Sequence, residues 1–279
     1  MSSLVVREHT RFFARRPGLV LSVVVLALVL IAAVVPGLFS GYDPIAGVPV
    51  ERLRGPSVAH LFGTDETGRD VYSRVVHGAA LSLRATVIAV LVAFVAGSSL
   101  GLLAGFRGGW LDSAVMRVVD VLQAVPAILL SLALVTALGF GTTNVAIAVG
   151  VANLAAFARL MRAEVLRVRS GVFVEAARAS GVRWGGVLSR HVLPNAMGPV
   201  LVLATLTFGT AVLEVSALSF LGFGAIPPTP EWGALVAGGR NFLATAWWMT
   251  TFPGLTVATV VLAANRLSRA LDGERSELL

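Results

Sequence analysis

The chain has no cysteine and no lysine, and only 13% of its 279 residues are charged. Without cysteine there are no disulfides, thiolate metal ligands or cysteine nucleophile. Without lysine the phosphate loop G-x-x-x-x-G-K-[ST] cannot be written, so ATP binding through a Walker A loop is excluded. The shortage of charge is the most restrictive absence. A soluble domain carries roughly 25% charged residues, and halving that leaves too little polar surface to hold a body of this size in water. With 56% apolar residues and a mean hydropathy of +0.85, the natural solvent is lipid. There, helices of about 20 apolar residues satisfy their own backbone. An all-α integral membrane protein is the expectation.

What charge is present is unevenly spread. The net charge is +7, and all 22 basic residues are arginine. They gather in a few loops between apolar runs, which is the pattern of membrane topology rather than of nucleic-acid binding, so no nucleic acid is expected. The N-terminal arginines Arg7, Arg11, Arg15 and Arg16 precede a stretch from Pro17 through Tyr42 that lacks charge until Asp43. That stretch is longer than a signal core and is followed by no small-residue cleavage site, so it reads as a retained first span. Charge-free windows predict six transmembrane helices, near Leu19–Phe39, Ala85–Phe106, Ser113–Leu138, Thr143–Met161, Pro199–Leu221 and Ala244–Asn265. The break between the third and fourth falls at Gly139-Phe140-Gly141-Thr142. Six spans place both termini on one side, and fifteen arginines on that side against five on the other, with Arg84 and Arg117 at span ends left out, make it the cytoplasm. Trp232, Trp247 and Trp248 then fit interfacial anchors on the outer side.

Two stretches do more than span. In the loop of about residues 162–195, Phe173–Ala177 reads as a short helix with Ser170 as N-cap and Gly181 as a left-handed C-terminal cap. A second amphipathic segment, Arg183–Val192, ends at Pro194. On the residues alone, this pair is either a docking knob for a partner or an amphipathic element resting on headgroups. The other stretch, Glu214–Trp232, leaves the fifth span through glycines and three prolines and cannot continue as helix.

Glu175-Ala176-Ala177, three residues, Gly181, nine residues and His191-Val192-Leu193-Pro194 resemble the EAA loop of binding-protein-dependent ABC importer permeases. His191 stands where the general motif has isoleucine, and the R-H-[IV]-L-P-N ending is similar to the oligopeptide/dipeptide/nickel subfamily. Two further segments resemble the same subfamily. Gly63, Thr64, Asp65, Gly68, Arg69 and Asp70 match L-G-T-D-x-x-G-R-D, and the stretch with Glu214, Gly222, Pro227, Pro228 and Trp232 resembles E-x-[SA]-L-S-F-L-G-L-G-x-x-P-P-x-P-x-W-G. The N-terminal RRPGLVLS and YDP are similar too, and the likeness covers about residues 10–272. The C-terminus looks shorter than the family's ending and lacks its Gly-Asp-Gly.

The resemblance implies a type I, MetI-like importer permease fold. Residues 1–84 would be tail, first span and outer loop, and 85–279 a five-helix core. The EAA loop would be the coupling helix seated in a cytoplasmic ATPase, and the other matched residues a signature and gate region. Implied partners are a second homologous permease, two ABC ATPase subunits, an extracytoplasmic solute-binding lipoprotein and the bilayer of a bacterial cell membrane. The chain itself would bind no cofactor or metal, ATP and Mg being held by the ATPases. The implied function is a non-catalytic half-pore for di- or oligopeptides or a related solute such as a nickel chelate.

The alternative is a proton-coupled secondary transporter using Glu214, a carboxylate inside the fifth span, where ionisable groups are costly and often functional. Asp120, near the end of the third span, is expected to cap or to pair with Arg117. Gly97, Gly101 and Gly105 recur every four residues, the pattern of close helix contact. Gly97-Ser98-Ser99-Leu100-Gly101 also spells G-x-S-x-G, but it lies mid-span rather than at a strand-to-helix turn, and His9, His60, His77 and His191 all fall outside the predicted membrane cores. A hydrolase is therefore not expected.

Overall fold

The computed structural model describes residues 17–276, with side chains through Ala270, and is helical almost throughout. The arginines at 7, 11, 15 and 16 lie outside the described residues, as do the side chains that follow Ala270. In chain order the helices are α1 (Pro17–Val34), α2 (Val71–Arg107), α3 (Gly109–Ala124), α4 (Ala127–Leu138), α5 (Thr142–Arg169), α6 (Val172–Ala179), α7 (Trp184–Val187), α8 (Leu193–Phe220), α9 (Trp232–Gly239) and α10 (Trp248–Ser276). A π-turn over Leu188–Val192 joins α7 to α8 into one rod.

Four helical segments are long and apolar enough to cross a membrane, namely α1, α2, α5 and the rod Trp184–Phe220, and a fifth crossing is made if α3 and α4 count together. The predicted third span is not one straight helix, because α3 and α4 meet at 97°. The cause is Pro126, which has no N–H to donate and pushes Val125 into an extended conformation (φ −100°, ψ 131°). The expected break after it is present, and Asn144 Nδ2 ties it by donating to the carbonyls of Leu138 (3.0 Å) and Gly139 (3.2 Å). α2 is far longer than expected, starting at Val71 rather than near residue 85. The sixth expected span lies on α10, which is not among the segments that qualify by length and composition.

Packing divides the chain into two compact units, one from residues up to 85, 140–142 and 208 onward, the other from 86–139 and 143–207. In the first, Val71, Val75, Ala79 and Leu83 recur every fourth residue on α2 and pack with Val212, Trp232, Trp248 and Val260. In the second, Phe157, Met161, Val165 and Val168 of α5 form the spine, met by Ala93 and Phe106 of α2 and by Val192, Ala196 and Val200, again four apart. The small-residue stripe of α2 fits against that spine. A methyl group at Gly97 would stand 2.7 Å from Phe157 Cβ, at Gly101 2.9 Å from Met161 Cβ, and at Gly105 3.0 Å from Val165 Cβ. Glycine at all three lets the helix backbones touch. Ser99 of the hydrolase-like pattern therefore lies within a continuous helix.

The charges near the spans are paired along α3 and α5. Arg162 grips Asp112 through both nitrogens, Nη2 to Oδ2 at 2.7 Å. Asp120 accepts from Arg159 at 2.7 Å rather than from Arg117.

Candidate functional site

The short helix expected around Phe173–Ala177 is α6. Ser170 does not cap it. The N-cap is Gly171, and the Ser170 hydroxyl instead donates back to the Arg167 carbonyl at 2.9 Å, inside the turn that ends α5. The C-terminal end is as expected. Gly181 adopts φ +80°, its N–H donates to Arg178 O at 3.0 Å, and Val182 N–H donates to Ala177 O at 3.1 Å. This pair of bonds is a Schellman cap, and a residue with a Cβ is strained at its left-handed position.

The knob is held from beneath by apolar side chains. Val174, Val187 and Val192 are fully buried in the spine of the second unit, and the rings of Trp184 and Phe106 lie 4.1 Å apart. Arg169 Nη1 donates to Gly105 O at 2.6 Å and satisfies a carbonyl in the last turn of α2. The outward face carries the motif: Glu175, Ala176, Gly181 and Pro194 are exposed, and Ala177, His191 and Leu193 half-buried. Beside them, Val172 is 81% and Phe173 48% exposed. A methyl group at Gly181 would meet nothing within 4 Å. The face is open, mixes apolar side chains with the exposed charges of Glu175 and Arg178, and is shaped by one glycine.

Pro194 was expected to end the second segment, but the helix runs through it. The preceding π-turn explains this: Leu193 N–H donates to Leu188 O, one residue further back than in an α-helix. The missing N–H of Pro194 therefore falls within an already widened turn, and Asn195 Nδ2 supplies a donor to His191 O at 2.7 Å.

The L-G-T-D-x-x-G-R-D residues come together as an internal lock. Thr64, Asp65 and Asp70 are at most 5% exposed. Asp65 Oδ1 accepts from Thr67 N (2.8 Å), Thr67 Oγ1 (2.7 Å) and Arg69 N (2.9 Å). Asp70 Oδ1 accepts from Ser73 N at 2.6 Å, capping α2, and Asp70 Oδ2 lies 2.8 Å from His60 Nδ1. Thr64 Oγ1 donates to Glu51 O and its carbonyl accepts from Trp248 Nε1 at 3.0 Å. Arg69 Nε reaches Ile45 O at 2.8 Å. Gly68 sits at φ +80° with the Val48 carbonyl where a Cβ would be, and Gly63 is likewise left-handed.

Of the second signature, Trp232 is 1% exposed with Nε1 donating to Val75 O at 2.9 Å. Trp248 is 7% exposed, so neither indole is an interfacial anchor. Each has found a buried carbonyl instead. Trp247 alone of the three is exposed, at 49%. Pro227 and Pro228, joined by a cis peptide, are exposed, as is Gly222 at φ +97°. Pro227 lines a cavity of about 90 Å³ with Asp65, Arg69 and Arg74. Glu214 is half-buried on α8.

Glu231 is the residue the sequence reading passed over. It is completely buried and N-caps α9, accepting from Gly233 N and Ala234 N at 3.0 Å each and from Ser82 Oγ at 3.3 Å. Burial pushes its carboxyl above the usual range, opposed by those hydrogen bonds. An acidic residue directly before a helix that follows a proline run was the signal available.

These geometries have known counterparts. Residues 97–276 match the family described as binding-protein-dependent transport system inner membrane component. The chain is 42% identical over 256 residues to the dipeptide transport system permease protein of Alkalihalophilus pseudofirmus, covering 92% of this chain and 83% of that protein. It is 40% identical over 272 residues to a glutathione transport system permease protein of Escherichia coli, covering 97% and 89%. Among solved structures, the MetNI methionine ABC transporter in an inward-facing conformation aligns with TM-score 0.57 and 23% identity over 71% of this chain and 95% of that one. An amino acid ABC transporter aligns with TM-score 0.56 and 15% identity over 72% and 94%. The last two speak for the fold alone. The chain belongs to the binding-protein-dependent transport system inner membrane components, the permease family of ABC importers.

Proposed function

We propose that this permease forms one half of the pathway of a peptide importer and takes its energy from separate ATPase subunits through α6. The observation that carries the coupling part is the outward face of α6: a recognisable motif, set by a Schellman cap, anchored below and touching nothing above. The peptide part is supported by the relatives, which are named for dipeptide and glutathione transport; a nickel chelate is the less supported solute. The arrangement has six spans, with α3–α4 as one bent crossing and α10 as the last, and both termini in the cytoplasm. A second homologous permease completes the pore, two ATPases hold the ATP and Mg, and an extracytoplasmic binding protein delivers solute. The chain performs no chemistry of its own and holds no cofactor. ATP closure moves the docked helices, and the paired permeases pass between inward- and outward-facing states.

The test is co-purification. The permease pair should co-elute with its ATPases and show solute-stimulated ATP hydrolysis in nanodiscs. Glu175→Lys, on an exposed position, should leave the melting temperature unchanged and cut ATPase retention by about tenfold or more, as for a charge reversed at an interface hot spot. Retention at the wild-type level removes α6 as the docking element. The rival reading, proton coupling through Glu214, predicts uptake into liposomes driven by a proton gradient without ATPase, and that result would overturn the importer assignment.

A further inference from the structure

α1 and α10 pack against each other within the first unit, and a groove of about 500 Å³ opens between them. Its length is apolar, walled by Leu21, Val25 and Leu262, and its mouth carries two guanidiniums, Arg266 and Arg269. Leu21 is 64% and Leu262 67% exposed, and only 17% of the apolar window of α1 is buried within the molecule. In a bilayer these walls face hydrocarbon.

The mouth is built to carry positive charge. The Arg266 guanidinium lies so close over Gly18 that a methyl group there would collide with it, so the absent side chain makes the seat. Ser22 turns its hydroxyl away to Gly18 O at 2.8 Å. Arg269 Nε makes a long contact to Asn265 O, 3.4 Å. Both arginines are exposed. Among the described residues no carboxylate lines the groove and neither arginine takes part in a salt bridge. Two guanidiniums side by side call for an anion with several oxygens, which Arg grips in a fork. A neighbouring apolar span would fill the walls but leave that mouth unanswered. A basic pocket between spanning helices with a hydrocarbon-facing wall is the chemistry of an acidic lipid.

We propose that the α1–α10 groove binds one anionic phospholipid, its phosphate held by Arg266 and Arg269 and an acyl chain laid along Leu21, Val25 and Leu262. The site depends only on the chain residing in a bilayer, whatever solute it conducts.

The experiment is native mass spectrometry on the full chain, purified with its companion subunits and equilibrated with equimolar dioleoyl phosphatidylglycerol and dioleoyl phosphatidylcholine. The wild type should retain phosphatidylglycerol with about tenfold preference, the order expected for two arginines near an acidic headgroup. Arg266→Gln with Arg269→Gln should bring the ratio close to one, and Arg266→Lys with Arg269→Lys should keep most of it. Gly18→Ala keeps both cations but displaces Arg266, and should lower the preference while leaving the melting temperature within a few degrees. The proposal is overturned if the wild type shows no preference or if the glutamine pair retains it. It is also overturned if a photo-crosslinker at position 262 captures a polypeptide rather than lipid.

Discussion

The two most recognisable stretches of the chain are maintained by opposite physics. In the α6 knob the motif residues face outward: Glu175, Ala176 and Gly181 are exposed, and only Val174 of that helix is buried. In the segment Gly63–Asp70 the motif residues face inward, with Thr64, Asp65 and Asp70 almost fully buried and bonded to their own loop. One pattern is presented outward, which is what the docking reading proposed above requires. The other bonds to its own loop and holds it in place. A signature in a sequence therefore does not announce a contact site, and burial decides which kind it is.

That contrast can be broken by substitution. The largest loss is expected from Glu231→Ala, which belongs with the inward class. It strips Gly233 N–H and Ala234 N–H of their buried acceptor and should cost about 3 kcal/mol or more, read as a fall in melting temperature with uptake lost alongside. Asp65→Ala removes an acceptor of three hydrogen bonds and should cost roughly 2–3 kcal/mol by the same measurement, with ATPase retention intact. Gly181→Asp places a Cβ at φ +80° and should cost only about 1–2 kcal/mol, yet reduce ATPase pull-down more than either inward substitution. If Asp65→Ala releases the ATPase while Gly181→Asp does not, the division between the two classes is wrong. Ser170→Ala is the smallest. Because its hydroxyl donates to Arg167 O rather than capping α6, the cost should stay within about 0.5 kcal/mol, against roughly 1 kcal/mol for a true N-cap.

Hydropathy and charge made the membrane class, the glycine stripe on α2 and the break at Gly139–Thr142 legible, and spacing made α6 and its glycine cap legible. What was missed shares a cause. A hydropathy window averages over single residues, so it slid across Pro126, whose one missing N–H turns a crossing into a 97° bend. It likewise placed Trp232 and Trp248 at an interface by their chemistry, although each indole N–H was to be satisfied by a carbonyl far away in sequence, Val75 O and Thr64 O. Ser170 was one residue off the cap position, and α2 began fourteen residues early because Asp70, capping it, lay inside a segment read only as a motif. Long-range partners and single-residue geometry are the parts a local pattern does not contain.

The π-turn at Leu188–Val192 has a mechanical consequence. Because it lets the helix pass through Pro194 instead of stopping, the second half of the knob and the span beyond it are one unbroken shaft of 37 residues. No loop interrupts the helical run between Trp184 and Phe220, although Pro199 removes one further donor within it. The phase between the two ends is fixed as well, since adding or deleting one residue turns everything beyond it by about 100°. On the docking reading proposed above, the length of this run in residues would set how a docked face is oriented about the helix axis, alongside the motif at its end.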